Sequence, residues 1–194
     1  SLDTGEADGH LFFNAMGVGI DAEVSRRFNR LRRRGLVSYA RAALACWRER
    51  RPVRCTVEVA GERREFDALL VAVANSDQYG NHARIAPRAR TDDGQLDLVV
   101  VRSAGLWRTL GLVPPLFLGT LDRSPLVWRR AGDTFLIERA APGPLHTDGE
   151  THEAGRTVEV RLVRRSLRMV VPAVSRAVVV REDPVPRSFA LLLP

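Results

Sequence analysis

At Pro52 the hydrophobic pattern of this chain changes period, and that change limits the folds open to it. Before it, in GLVSYARAALACWRERRP, apolar groups fall at Leu36, Tyr39, Ala40, Ala43, Leu44 and Trp47, the three–four spacing of one helix face. After it, Val53, Cys55, Val57 and Val59 alternate with Arg54, Thr56 and Glu58, the period of a half-buried strand. ALLVAVAN is apolar throughout, as expected of a strand covered on both faces, and LDLVVV follows. TFLIER, TVEVRLV and LRMVVP read as three further strands, with Gly and Asp punctuating the runs. Near the start, SLDTGEADGHLFFNAMGVG reads as two short strands around Asp8-Gly9, and IDAEVSRRFNRLRRR as a helix presenting Val24, Phe28 and Leu31. The expected fold is mainly β (α+β): an antiparallel β-sandwich with two or three helices.

Composition narrows the chemistry. The 194 residues are 45% apolar, enough for a packed core. All thirty basic residues are arginine, so a Schiff-base lysine and a phosphate-loop lysine are excluded. The net charge of +7 suits an anionic partner. Aromatics are only 6% and the arginines are scattered, so nucleic acid is not expected as a partner. Cys46 and Cys55 are too few for a disulfide scaffold or zinc site and are expected as buried, reduced core residues. GVGID lacks the third glycine of a dinucleotide fingerprint, and no strand–helix pair carries a glycine-rich phosphate loop.

Four stretches carry candidate chemistry. In IAPRARTDDGQLDLVVV, Asp93-Gly94 is a hairpin signal, and Asp92, Asp93 and Asp97 together form the alternative, a loop for a hard cation. VANSDQYGNHARIAP is a polar loop beyond a buried strand that ends at Asn75. In LHTDGETHEAG, Asp148 and Glu150 straddle a glycine; the triplet reads first as a turn, and a carboxylate pair is also a candidate general base. His146 and His152 match no common zinc spacing and are read as solvent-facing. Finally, GLWRTLGLVPPLFLGTLDRSPLVWRR has Trp107 and Trp128 near its ends, arginines beside them and an apolar middle. A pair of core helices is expected there, with a membrane-interface element as the alternative. Its uncharged run, Thr109 to Leu121, is too short to span a bilayer.

The order of these stretches is more specific than any one of them. FFNAMGVGIDAEV, then NSDQYGNHARIAPRARTDDGQLDLVVV, then HTDGE resembles the C-terminal domain of the bacterial diacylglycerol kinase catalytic-domain family. These soluble lipid kinases are related to sphingosine and ceramide kinases and, more distantly, to NAD kinase. The resemblance spans roughly Leu2 to Pro172. It implies a β-rich C-terminal lipid-kinase domain over residues 1–172, a tail over 173–194, and an N-terminal ATP-binding domain with a G-G-D-G-T loop that lies outside this chain. It implies Glu150 as proton acceptor from the lipid hydroxyl, with Asp148 beside it. It also implies Mg2+, with Ca2+ as a substitute, held by the carboxylate of Asp93 and the carbonyls of Arg90 and Gln95. Asn14, Gly17, Gly19 and Asp21 would shape the cleft wall toward the N-terminal domain and its ATP. One departure stands out: Asn81 and His82 follow Gly80 where the family is usually richer in glycine.

The expected function is therefore phosphorylation of diacylglycerol or a similar lipid alcohol, from the cytoplasm, at the inner membrane surface. The isolated chain is expected to be inactive, and its exposed cleft wall could support a homodimer. Two alternatives remain open: a kinase of the same superfamily acting on a soluble alcohol, and a non-enzymatic β-rich module that binds anionic lipid or nucleic acid through arginine.

Overall fold

The computed structural model describes residues 1–29, 45–46, 48–49, 52–80 and 82–170. Most of the helix expected before Pro52, and the tail after residue 170, lie outside them; Ala45, Cys46, Arg48 and Glu49 are helical. The described residues form eleven strands: β1 (Leu2–Ala7), β2 (His10–Phe12), β3 (Ala15–Gly19), β4 (Val53–Val59), β5 (Glu62–Ala74), β6 (Leu96–Arg102), β7 (Val127–Gly132), β8 (Thr134–Arg139), β9 (Gly143–Thr147), β10 (Glu150–Ala154) and β11 (Thr157–Leu167). Besides those helical residues, three α-helices, α1 (Ile20–Asn29), α2 (Leu106–Leu110) and α3 (Val113–Leu118), and a short 3-10 helix at Leu121–Arg123 accompany the strands.

All the strand pairs are antiparallel, and β5 organises them. Its first half pairs with β4, in the layer β4–β8–β11–β1–β2. Its second half lies between β3 and β6, in the layer β10–β9–β3–β5–β6–β7. The register shifts between Ala68 and Leu70, where the strand passes from one layer to the other. That bulge flips the alternation. Phe66, Ala68, Val71 and Val73 face the core between the layers, whereas Leu69, Ala72 and Ala74 face outward. ALLVAVAN is therefore covered on both faces, as its uniform apolarity implies.

The inner core joins Met16, Val18, Leu98, Val100 and Leu145 of one layer to Phe12, Val57, Phe135, Ile137 and Val160 of the other. This is the expected β-sandwich. The outer face of β3, β5 and β6 packs against Ile85, Ala86 and Leu121 from the crossing loops. Cys46 and Cys55 are both buried and free, as expected, and burial pushes the Cys55 thiol up to about 11.

Several local expectations need correction. The first nineteen residues form three strands, because the chain bends at Phe13-Asn14 between β2 and β3. TVEVRLV and the start of LRMVVP are one strand, β11, and Val170 beyond it is fully exposed. Asp93-Gly94 does not close a hairpin, since no strand directly precedes it. The expected core helix pair is short, and neither α2 nor α3 buries a residue.

Candidate functional site

The stretch HTDGETH folds into the β9–β10 hairpin. Thr147 pairs with Glu150, leaving Asp148 and Gly149 as a two-residue turn with φ of 51° and 88°. Positive φ at both central positions matches the right-handed twist of the strands, and Asp-Gly tolerates it well.

The two carboxylates of this turn do different work. Asp148 accepts hydrogen bonds from the backbone N–H groups of Phe13 (2.6 Å), Asn14 (2.9 Å) and Ala15 (2.9 Å). It thereby ties the hairpin tip to the β2–β3 connection. Glu150 is exposed, and its carboxylate has no hydrogen bond or ion pair among the described residues. The other end of the hairpin is clamped by Arg139, which is buried and donates to the carbonyls of Gly143, Pro144, Ala154 and Gly155 at 2.7–3.0 Å. Burial pulls the Arg139 guanidinium below its usual range. Its planar fork matches four carbonyls in a way a single ammonium cannot.

The histidines are not solvent-facing. His146 is 5% exposed, and its ring lies against Asp21 and Tyr79. The Tyr79 hydroxyl donates to Asp21 Oδ2 and lies 2.8 Å from His146 Nε2; His146 Nε2 is 3.2 Å from the same Asp21 oxygen. The N–H of Gly149 approaches His146 Nδ1 at 3.4 Å, which leaves the proton of the neutral ring on Nε2, facing this pair. Asp21 Oδ1 accepts from the N–H of Ala22 in the first turn of α1. His152 is half-buried on the other face of the hairpin, bonded to Thr147 Oγ1 at 2.9 Å and stacked on His10 at 3.8 Å. Burial, and then the charge of His10, push its pKa down. Directly opposed residues of an antiparallel pair share a face, so Glu150, opposite Thr147, lies with His152 and away from His146.

The glycines of FFNAMGVGID explain themselves against this network. A Cβ on Gly17 would stand 2.0 Å from Asp21 Oδ2 and 2.8 Å from His146 Nε2. Gly19 has φ of 112°, and a Cβ there would meet the Leu69 carbonyl at 2.7 Å. Asn14 accepts the N–H groups of Asn75 and Ser76 on its carbonyl and the Ser76 hydroxyl on its side chain. Gly17 and Asp21 thus line a buried polar cluster, whereas Asn14 is tied to Asn75, Ser76 and Asp148.

Of the three carboxylates of the second loop, only Asp93 is free to serve a ligand. Asp92 pairs with Arg90 at 3.3 Å. Asp97 is buried against Arg129 at 2.6 Å; burial raises its pKa, and Arg129 offsets part of that. Asp93 Oδ1 accepts the N–H of Gln95 at 3.1 Å, and Oδ2 carries no bond among the described residues. No group of three or more His, Cys, Asp or Glu converges on a metal position among the described residues. Asp93 and Gln95 are exposed in this turn, and a free carboxylate oxygen is the donor type that a hard cation takes.

Asp3, outside every sequence motif, and Asn75, at the end of the buried strand, join the loops. Asp3 is buried in β1; its carboxylate accepts the N–H groups of Gly94 (2.9 Å) and Arg165 (2.7 Å), and its own N–H donates to Thr91. Asn75 donates through Nδ2 to the carbonyls of Asp3 (2.9 Å) and Phe13 (2.8 Å). A continuous hydrogen-bonded path thus runs from the Asp93 loop through Asp3, Asn75 and Phe13 to Asp148 and the Glu150 hairpin.

This architecture has known counterparts. The family model described as the YegS C-terminal NAD kinase beta sandwich-like domain matches residues 14–172. A structure from Bacillus anthracis str. Sterne, provisionally assigned as a diacylglycerol kinase, shares the fold with a TM-score of 0.62 and 22% identity, over 84% of this chain and 53% of its own. A second from the same organism, a diacylglycerol kinase, gives 0.56 and 17% over 84% and 50%. A third gives 0.56 and 21% over 84% and 52%. The chain spans about half the length of each. No curated protein matches it.

Proposed function

The chain belongs to the YegS C-terminal NAD kinase beta sandwich-like domain family, and from that premise we propose that it is the C-terminal domain of an ATP-dependent lipid kinase acting on diacylglycerol or a similar lipid alcohol. The observation that carries this reading is the division of labour in the β9–β10 turn. Asp148 is held by three backbone donors, and Glu150, two residues on, is exposed and unpaired on a hairpin fixed at both ends.

Phosphoryl transfer asks the protein for positioning, charge stabilisation and a base for the hydroxyl proton. Glu150 takes that proton as the alcohol oxygen bonds to the terminal phosphorus of ATP and the bond to ADP breaks. Asp148 and Arg139 hold the hairpin that carries it. Asp93, with the carbonyls of Arg90 and Gln95, would hold Mg2+, or Ca2+ in its place, which supplies positive charge beside the phosphates when bound. ATP would be held mainly by a preceding domain, with the Asn14–Asp21 segment bracing the shared wall. The substrate places the reaction at the inner membrane surface. No described helix is long and apolar enough to cross a membrane.

The test is phosphate transfer from ATP to diacylglycerol, by this chain alone and by a two-domain protein that joins it to a domain carrying the phosphate loop. Transfer is expected only from the joined protein. Transfer by the 194-residue chain alone would overturn the two-domain reading; an inactive joined protein would overturn the kinase reading.

A further inference from the structure

Helices α2 and α3 carry the most apolar stretch of the chain and leave it open. Leu106, Trp107, Leu110, Val113, Phe117 and Leu118 are exposed, Trp107 to 82% and Leu118 to 74%. The pair is nonetheless anchored. Leu112 and Leu116 pack toward the outer core, the Leu116 carbonyl accepts the N–H of Arg84 at 2.9 Å, and Gly119 closes α3 at φ of 68°. Exposure here belongs to the folded arrangement.

The stretch that forms the patch carries charge of one sign, and Asp77 nearby is taken by Arg84 at 3.6 Å. Between Asp97 and Asp122 the chain has no acidic residue. Asp122, at the edge, is taken by Arg88 at 2.9 Å. Arg108 and Arg123 are exposed and make no ion pair among the described residues. A second copy docking through this face by a two-fold would set like charges against each other. An apolar centre with an unneutralised arginine rim, and tryptophan beside it, instead matches an anionic lipid surface.

We infer that α2–α3 is a membrane-docking element, seating Trp107, Phe117 and Leu118 among the acyl chains of an anionic bilayer while Arg108 and Arg123 meet its phosphates. The inference deepens the lipid-kinase reading by naming the surface that brings the domain to its substrate, but vesicle binding needs no phosphoryl transfer, so each can fail without the other.

The experiment is co-sedimentation of the full chain with vesicles of phosphatidylcholine alone or mixed with phosphatidylglycerol, alongside tryptophan emission. Binding is expected to the mixed vesicles, to weaken as salt rises, and to shift emission to the blue in wild type but not in Trp107→Phe. Replacing Phe117 and Leu118 together by Ser should lower partitioning by about tenfold or more without lowering the melting temperature. Arg108→Glu with Arg123→Glu should abolish the preference for phosphatidylglycerol. Absence of binding to the mixed vesicles, or undiminished binding by the Phe117/Leu118 variant, would overturn the proposal. So would a wild-type dimer in analytical ultracentrifugation that this variant dissociates, since the patch would then serve a second copy.

Discussion

The β9–β10 hairpin and the α2–α3 pair dispose of their side chains in opposite ways. The hairpin is rich in His, Thr, Asp and Glu, yet His146 and Thr147 are buried and Asp148 is fully engaged. The helix pair is rich in Leu, Val, Phe and Trp, yet neither helix buries a residue. Partners decide the difference. His146 finds Asp21 and Tyr79 within hydrogen-bond reach, and a polar group so satisfied enters the interior at small cost. Helices of five and six residues make less than two turns each, so apolar side chains spread around them cannot all reach one core.

That contrast can be broken by mutation. The largest effect is expected at Gly17→Ala, whose methyl would stand 2.0 Å from Asp21 Oδ2. Overpacking a closed polar cluster should cost about 3 kcal/mol or more. A wild-type melting temperature in this variant would show that the cluster is loose. Next is Tyr79→Phe, which removes the hydroxyl shared with Asp21 and His146. The loss should be about 1–3 kcal/mol by urea denaturation, with an unchanged fold by circular dichroism. No loss would mean that Asp21 is satisfied without it. The smallest effect is expected at Trp107→Ser, within about 0.5 kcal/mol of wild type despite removal of a large apolar group. A loss like that of a core tryptophan would mean that α2 packs against the body of the protein.

The sandwich was readable because a period of two survives in a single sequence. TFLIER is β8 residue for residue, and the Asp-Gly pairs at 8–9 and 148–149 are both two-residue turns. Ala60-Gly61 makes the same kind of turn, with Ala60 at φ of 49°, and escaped notice because alanine is not a turn residue. The site was less readable. Asp21, Tyr79 and His146 are separated by up to 125 residues, and spacing carries no trace of such a contact. A histidine next to an Asp-Gly turn and an aspartate opening a helix were the only local hints. Asp3 and Asn75 gave less still, because their work is to accept or donate backbone hydrogen bonds across the sheet. Hydropathy misplaced α2–α3 because it counts apolar residues and not the surface available to cover them.

The central claim is that the anchored turn exists to present Glu150 as a base. The most direct test is Glu150→Gln in the two-domain protein, with turnover measured at saturating ATP and diacylglycerol. Turnover should fall by about 10²–10⁴-fold, with the melting temperature and substrate affinities unchanged. Wild-type turnover in that variant would contradict the account.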